Sequence, residues 1–383
     1  MKIAFIGQKG IPAKLGGVER HVEELAIRLA QKGHEVFVYV RNNYTDKNLN
    51  NYKGVKLVHL PSISTKHLDA ISHTFFATIH ALFQKYDVIH YQAIGPSFLS
   101  WIIKIFKYKT ALVATFHCQD YYHKKWNWFA RTSLRLGEYV ACQVPDRTIV
   151  VSNALRSYVK NTYGKEAFFI PNGFTASPTE EASGIEEWGL KKNGYILTVS
   201  RLIKHKGIHY LIEAFKNLED KNLIGEKKLV IVGDGFYTDE YVEHLKKIAE
   251  SRKNIIFTGT QTGSVLSQLF SHAYFFVQPS DSEGLSITLL EAMGYGKAVI
   301  ASDIAENMEA LSDAGVFFRH GDVADLEKKM LGLLGNQEKI DRLGKDGKAR
   351  VEEFYNWDRI AEKTDGLYRN ILKEEAVKDF SLN

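Results

Sequence analysis

The sequence predicts an α/β protein made of two Rossmann-like domains with parallel sheets, and three observations predict it. Its 383 residues are too many for one ordinary core and suit two domains of roughly 170 to 200 residues each. Short β-branched runs alternate with segments of helical apolar spacing from the first residues onward, the pattern of parallel strands joined by crossover helices. Around Ile170-Pro171-Asn172-Gly173 that alternation breaks, residues 174–194 are richer in Ser, Thr, Pro, Gly and Glu than their flanks, and a second strand series begins. The expected organisation is an N-terminal domain over 1–172, a C-terminal domain over 173–356, their sheets facing across a cleft, and a final helix over 357–383 crossing back to the N-terminal domain and packing across both.

Taken in order, residues 2–6 and 35–40 read as the first two strands. Between them Val18, Val22, Leu25, Ala26 and Leu29 recur at helical spacing, and Gly33 stands where a C-terminal cap belongs, giving one βαβ unit. Residues 87–90, 110–116 and 147–151 are apolar runs short enough to be buried strands. The second series is 195–199, 228–232, 255–257, 273–277 and 298–301, with helices in the gaps. The tail has helical apolar spacing at Ile360, Leu367, Tyr368 and Ile371.

Composition narrows the class. Apolar residues make up 45% and charged ones 25%, ordinary globular usage that argues against disorder or a fibrous repeat. The uncharged stretch 88–103 contains His90, Gln92, Gly95 and Pro96 and falls short of a membrane span, and the N-terminus lacks a signal-peptide core. Cys118 and Cys142 are the only cysteines and have no metal-type spacing, which fits a reducing cytoplasm. The net charge of +5 conceals an asymmetry: residues 1–172 hold 23 Lys and Arg against 11 Asp and Glu, the remainder 27 against 34. So basic an N-terminal half suits an anionic partner, a phosphorylated acceptor, a membrane surface or nucleic acid, or simply carries solvated lysines.

The most informative stretch is 280–297, Ser-Asp-Ser-Glu-Gly-Leu-Ser-Ile-Thr-Leu-Leu-Glu-Ala-Met-Gly-Tyr-Gly-Lys. With a helix starting at Gly284, Glu283 and Glu291 would stand roughly 12 Å apart on nearly one face, about the span from sugar to ribose in an extended nucleotide sugar. The Gly284 and Leu285 amides at the helix N-terminus would then suit a phosphate. Ser200-Arg201-Leu202 closes the first strand of the second domain and Lys206-Gly207 opens the next helix, a junction where anions bind in parallel sheets. Arg201 offers a planar fork and Lys206 a mobile point charge, which together with a helix dipole could neutralise a diphosphate without a metal. In the first domain Gly16-Gly17 precedes the first helix, where the lack of a Cβ lets a bound group approach. His117 and Asp120 follow the strand over 110–116 at the expected carboxyl edge. The run Tyr121-Tyr122-His123-Lys124-Lys125-Trp126-Asn127-Trp128, and Phe98 to Lys109 as a second candidate, mix Lys with aromatic residues as an anionic membrane interface requires. The second of these reads equally as a buried helix.

Gly16-Gly17, His117, Asn172-Gly173, Arg201, Lys206-Gly207, Gly233-Asp234-Gly235 and Glu283-x7-Glu291 in its Glu-Gly-Leu-Ser setting together resemble the retaining glycosyltransferases of family four, which have the GT-B fold. The resemblance spans nearly the whole chain, including Trp357 before the final helix. It implies transfer of a sugar, of the hexosyl type, from a nucleotide-sugar donor with retention of configuration, in cell-envelope polysaccharide or glycolipid synthesis. It implies catalytic roles for Glu283, His117, Arg201 and Lys206. Arg201 and Lys206 would hold the donor diphosphate, Glu283 the donor sugar, Glu291 the ribose, His117 the sugar or its surroundings, and Gly17 the phosphate region. Gly16, Asn172, Gly173, Gly233, Asp234, Gly284, Leu285 and Ser286 complete the expected donor site. Asp120, Lys124, Lys125 and Trp126 fall on the acceptor or membrane side. No metal or other cofactor is expected. The expected partners are the donor and a sugar or phosphate-linked lipid acceptor rather than nucleic acid, for a cytoplasmic enzyme docking on the inner membrane face. Ser286 and Lys297 stand where the commoner family pattern has Gly and Pro, which should alter local backbone rather than chemistry.

Alternatives are weaker. A nicotinamide-dependent dehydrogenase needs Gly-x-Gly-x-x-Gly after its first strand and an acidic residue ending its second, whereas this chain has Gly7-Gln8-Lys9-Gly10 and Arg41. A metal-dependent transferase would carry Asp-x-Asp after a strand, and only Asp281-x-Glu283 comes near it. A sugar-nucleotide epimerase, a sugar phosphorylase or a non-catalytic sugar-nucleotide binder would share the fold.

Overall fold

The structure, a computed structural model, describes residues 1–14, 16–65, 68–119, 128–235 and 238–381. The chain forms two compact units: residues 1–172 with 357–383, and residues 173–356.

The first unit is built on an eight-stranded sheet. Its strands are β1 (Lys2–Ile6), β2 (Glu35–Arg41), β3 (Asn51–Tyr52), β4 (Val55–Leu60), β5 (Val88–Gln92), β6 (Ala111–Phe116), β7 (Arg147–Val150) and β8 (Phe168–Phe169). They run in the order β3-β4-β2-β1-β5-β6-β7-β8. All neighbours are parallel except β3 and β4. That antiparallel pair is a hairpin whose two turn residues, Lys53 and Gly54, both have positive φ, 48° and 87°, the geometry that matches strand twist. Wherever strands lie between crossover helices they are apolar on both faces. β5 and β6 are buried at every residue, as the short apolar runs predicted.

The final helix, Trp357–Ser381, belongs to the core of this unit. Trp357, Ile360, Ala361, Leu367, Tyr368 and Ile371 pack with Ile3, Val22 and Leu25. Polar ties hold it in register: Arg28 Nε donates to Asp358 Oδ1 at 2.8 Å, and the Tyr368 hydroxyl meets His90 Nδ1 at 2.7 Å. The predicted apolar spacing at 360, 367, 368 and 371 is therefore the face that completes the sheet's cover.

The second unit has a six-stranded sheet in the order β11-β10-β9-β12-β13-β14. Its strands are β9 (Tyr195–Val199), β10 (Lys228–Val232), β11 (Ile255–Gly259), β12 (Phe275–Gln278), β13 (Val299–Ser302) and β14 (Val316–Phe318), all parallel. β9 is first in sequence and lies between β10 and β12, so the chain reverses its direction of winding there. Such a reversal opens a crevice beyond the carboxyl ends of the two strands. In the first unit the same reversal lies between β1 and β5.

Candidate active site

In the second unit the crevice between β9 and β12 gathers a buried ion pair. After β9 a short 3-10 turn, Lys204–Lys206, leads through Gly207 into the helix Ile208–Asp220. Gly207 has φ +68°, and a Cβ there would stand 1.9 Å from the Pro279 carbonyl oxygen. Only glycine lets the two loops approach this closely. Asp281 N–H also donates to the His205 carbonyl at 2.8 Å. The consequence is that Lys206 Nζ reaches both oxygens of Glu283, at 2.6 and 2.7 Å. Both side chains are largely withdrawn from solvent, 15% and 7% exposed.

Two further groups fix the carboxylate. Gln278 Nε2 donates to Glu283 Oε1 at 2.6 Å and to Ser280 Oγ at 2.9 Å, and Ser280 Oγ donates to Glu283 Oε1 at 2.7 Å. Ser302 at the end of β13 donates to the Ser280 carbonyl, and Asn307 Nδ2 donates in turn to Ser302 Oγ at 3.0 Å. Glu306, beside Asn307, has its carboxyl pushed above the usual range by burial and by the nearby Glu283 charge. Three successive strand ends thus supply one connected polar network. Substituting Gly207 by alanine should cost about 3 kcal/mol, through an imposed left-handed conformation and a backbone clash. Urea unfolding of the Gly207→Ala variant checks this.

Two expectations are corrected here. The helix after Glu283 does not start at Gly284: it spans Ile287–Gly294, capped by Ser286, whose Oγ accepts from Leu289 N–H. Serine is a favoured cap because its oxygen satisfies an amide the helix leaves open, and the residues before it are drawn to Lys206 instead. Glu283 is therefore a loop residue. Glu291 lies within the helix, the span estimated from helical rise does not apply, and the Gly284 and Leu285 amides precede the first turn. Nor is Lys206 a mobile charge, because Glu283 holds it.

The remaining second-unit residues lie at the same sheet edge or near it. Arg201 follows β9 and is exposed, while the neighbouring Ser200 Oγ is buried without a partner among the described residues. Gly233 follows β10, and exposed Asp234 accepts from Leu202 N–H at 3.0 Å through its carbonyl. Gly173 is the buried first residue of the unit. Lys297 Nζ donates to the Ser271 carbonyl at 2.6 Å, and burial pushes its ammonium down to about 8.

The first unit has its own cluster beyond the carboxyl ends of β1, β5, β6 and β8. His117 is buried, its Nε2 2.8 Å from Gln92 Oε1. His21, in the helix Gly17–Gln31, stands edge-on to His117 at 4.8 Å between ring centroids. Its Nδ1 lies 2.9 Å from Asn172 Oδ1. Because Asn172 Oδ1 accepts, Nδ1 of His21 carries the proton and Nε2 keeps a lone pair, buried without a partner among the described residues. Burial pushes this imidazole down to about 4, so it is neutral near pH 7. Gly16 is the N-cap residue with φ 103°, but the space freed there is filled from within the chain. The Glu19 carboxylate lies 2.1 Å from where a Cβ would stand, its other oxygen accepting from Lys9 N–H at 3.0 Å. Asp120, Lys124, Lys125 and Trp126 lie outside the described residues.

Sequence reasoning missed Gln278, Ser302, Glu306, Asn307, His21 and Gln92. A signal existed for two of them: Gln92 and Gln278 are polar residues closing otherwise largely apolar strands, at the edge where ligands bind. Among the described residues no group of three or more His, Cys, Asp or Glu side chains could hold a metal ion.

Comparison with known proteins gives this geometry its context. The family model for glycosyltransferase family 4 matches residues 15–177, and that for glycosyl transferases group 1 matches residues 182–350. An uncharacterised glycosyltransferase of Methanocaldococcus jannaschii is 28% identical over 96% of this chain and 98% of its own. The alpha-monoglucosyldiacylglycerol synthase of Streptococcus pneumoniae is 25% identical over 99% of this chain and 89% of its own. Among solved structures, sucrose-phosphate synthase from Thermosynechococcus elongatus superposes with a TM-score of 0.83 at 22% identity, covering 97% of this chain and 99% of that one. Anabaena HepE in complex with UDP-glucose gives 0.79 at 20% identity, covering 97% and 100%. With one model on each half and the two-sheet fold they share, the chain belongs to the family 4, group 1 glycosyltransferases of GT-B fold.

Proposed function

We propose that this glycosyltransferase moves a hexose from a nucleoside-diphosphate sugar to a phosphate-linked lipid or sugar acceptor with retention of configuration, in cell-envelope polysaccharide or glycolipid synthesis. The observation that carries the reading is Glu283 fixed at the β9/β12 crevice by Lys206, Gln278 and Ser280. Arg201 and Lys206 are assigned the donor diphosphate, Glu283 the transferred sugar and Glu291 the ribose. His117 is assigned the sugar on the family resemblance alone. HepE was solved with UDP-glucose, which makes that compound the first donor to try.

The bond from the anomeric carbon to the diphosphate oxygen breaks as the acceptor oxygen bonds to that carbon. The acceptor proton passes to the departing diphosphate, whose growing charge Arg201 and Lys206 stabilise. Preorganised charges of this kind commonly lower a barrier more than any other single effect. Nucleoside diphosphate should be released only when acceptor is present, and the product's anomeric coupling in NMR should match the donor's. Release without acceptor, or an inverted product, overturns the reading.

The cationic pair supplies the positive charge for which other transferases use a divalent ion. EDTA is therefore expected to leave the initial rate within about twofold, because Arg201 and Lys206 are assigned the electrostatic stabilisation. Loss of activity that magnesium or manganese restores would contradict this assignment.

A further inference from the structure

The first unit carries an exposed apolar face that the donor chemistry does not use. The helices Asp69–Leu82 and Ser100–Phe106 pack against each other, and the turns that follow them are joined. Lys107 Nζ donates to the Gln84 carbonyl, and Thr110 Oγ1 donates to the Tyr86 carbonyl at 3.2 Å. Along this edge Phe83 is 81% exposed, Phe106 69%, Tyr108 63%, Ile105 62%, Phe75 46% and Trp101 41%. Of the helix Ser100–Phe106 only Ser100 and Ile103 are buried. So dense a set of large apolar tips marks an interaction site.

Charge identifies the occupant. Between residues 68 and 109 the sequence holds Lys85, Lys104, Lys107 and Lys109, no Arg, and only Asp69 and Asp87 as acids. Both acids are engaged: Asp69 accepts from Arg41 Nη1 at 2.6 Å, and Asp87 accepts from Lys2 N–H at 2.7 Å. Lys104 pairs with Asp146 and Lys107 with the Gln84 carbonyl, while Lys85 and Lys109 are exposed next to the apolar tips. Protein interfaces are enriched in Arg and depleted in Lys, the reverse of this face. Aromatic and aliphatic tips ringed by lysine match a lipid surface, where rings enter the headgroup boundary and ammonium groups meet phosphates.

We infer that the face formed by Phe83, Trp101, Ile105, Phe106 and Tyr108 with Lys85, Lys107 and Lys109 docks on an anionic lipid bilayer. This names the surface for the lipid-linked acceptor proposed above and rests on that reading for the acceptor alone. It takes in the second candidate singled out in the sequence, Phe98 to Lys109, and not the segment 121–128, which lies outside the described residues apart from Trp128.

Full-length protein is sedimented with vesicles of phosphatidylcholine alone and of phosphatidylcholine with phosphatidylglycerol. The wild type is expected to bind the mixed vesicles and to lose them as salt rises. The Phe83→Ser/Phe106→Ser variant should bind at least tenfold more weakly, and Lys85→Glu/Lys109→Glu should erase the preference for anionic lipid. These positions are exposed, so thermal shift with UDP-glucose should match wild type in both variants, showing an intact fold. Equal binding to both lipids, or equal binding by wild type and variants, overturns the inference. So does self-association in sedimentation velocity that the Phe83→Ser/Phe106→Ser variant abolishes, which would make the face a protein interface. Vesicle binding without transferase activity would sink the proposed acceptor and leave the docking surface standing.

Discussion

Replacing Lys206 by alanine is expected to lower kcat/KM for transfer at least a hundredfold, the scale seen when one preorganised charge-stabilising group is removed. Two effects act together. The departing diphosphate loses a cation, and Glu283 is left buried with its counter-ion gone. Breaking a buried ion pair from one side is costly, about 3 to 5 kcal/mol, because the remaining charge is uncompensated. Gln278 and Ser280 still donate to Glu283 Oε1, but neither carries charge. The Lys206→Ala variant should therefore also unfold at lower urea, and adding Glu283→Gln should restore part of that stability without restoring activity. Glu283→Gln alone should mainly lower kcat, since the carboxylate is assigned to the sugar. Glu291→Gln should mainly raise KM, since its partner is the ribose. Steady-state kinetics with UDP-glucose, alongside urea melts, separates these outcomes. Near wild-type turnover in Lys206→Ala would remove Lys206 from the mechanism, and reversed effects of the two glutamine variants would exchange their roles.

What the sequence made legible follows the strength of each local signal. β1, β9 and β10 have the boundaries expected from their apolar runs, because a strand buried on both faces leaves an unbroken apolar record. β3, β4, β8 and β14 left none. β3 and β8 have two residues each, and Val55–Leu60 mixes Lys56 and His59 into a strand near the sheet edge. At the site, residue identity was easier to read than geometry. Glu283 and Lys206 were both singled out, yet their pairing was invisible, since it depends on two loops 77 residues apart. The false helix start at Gly284 came from the same blindness: Ser286 caps the helix, and only the tertiary pull of Lys206 on Glu283 shows why the preceding residues stay out of it. His21 leaves no signal of its own in the helical apolar spacing, and its role as a buried neutral partner of Asn172 needs the sheet's carboxyl edge to be assembled.

Acid should destabilise the first unit as the pH falls from about 6.5 towards 4. Burial pushes His21 down to about 4. His73 is also pushed down to about 4, by burial and then by the Arg41 charge, and His90 falls well below the usual imidazole range, by burial and then by His21. All three belong to the unit containing residues 1–172. Each has a folded-state pKa below the unfolded value near 6.5, so the unfolded chain binds protons first as pH drops. Stability conferred by their neutral forms is complete above about pH 6.5 and is lost between there and about pH 4, the direction linkage requires when the unfolded state holds more protons. At pH 4.5 a shift of this size costs about 2.5 kcal/mol per histidine, so His21 and His73 together remove about 5 kcal/mol, a large part of a typical domain's stability. Asp69, held below the usual carboxylate range mainly by its bonds from Ser62 and Arg41 against the opposing effect of burial, loses its contribution only at lower pH, outside this window. Urea unfolding at pH 7.5 and 4.5, with hydrogen exchange followed separately in β1 and β9, should show the loss concentrated in the first unit. The His73→Leu variant should lose about 2.5 kcal/mol less on acidification than the wild type, because one of the three titrating groups is gone. Stability that stays level between pH 7 and 4.5, or falls first in β9, would mean that these histidines are not held neutral by the fold.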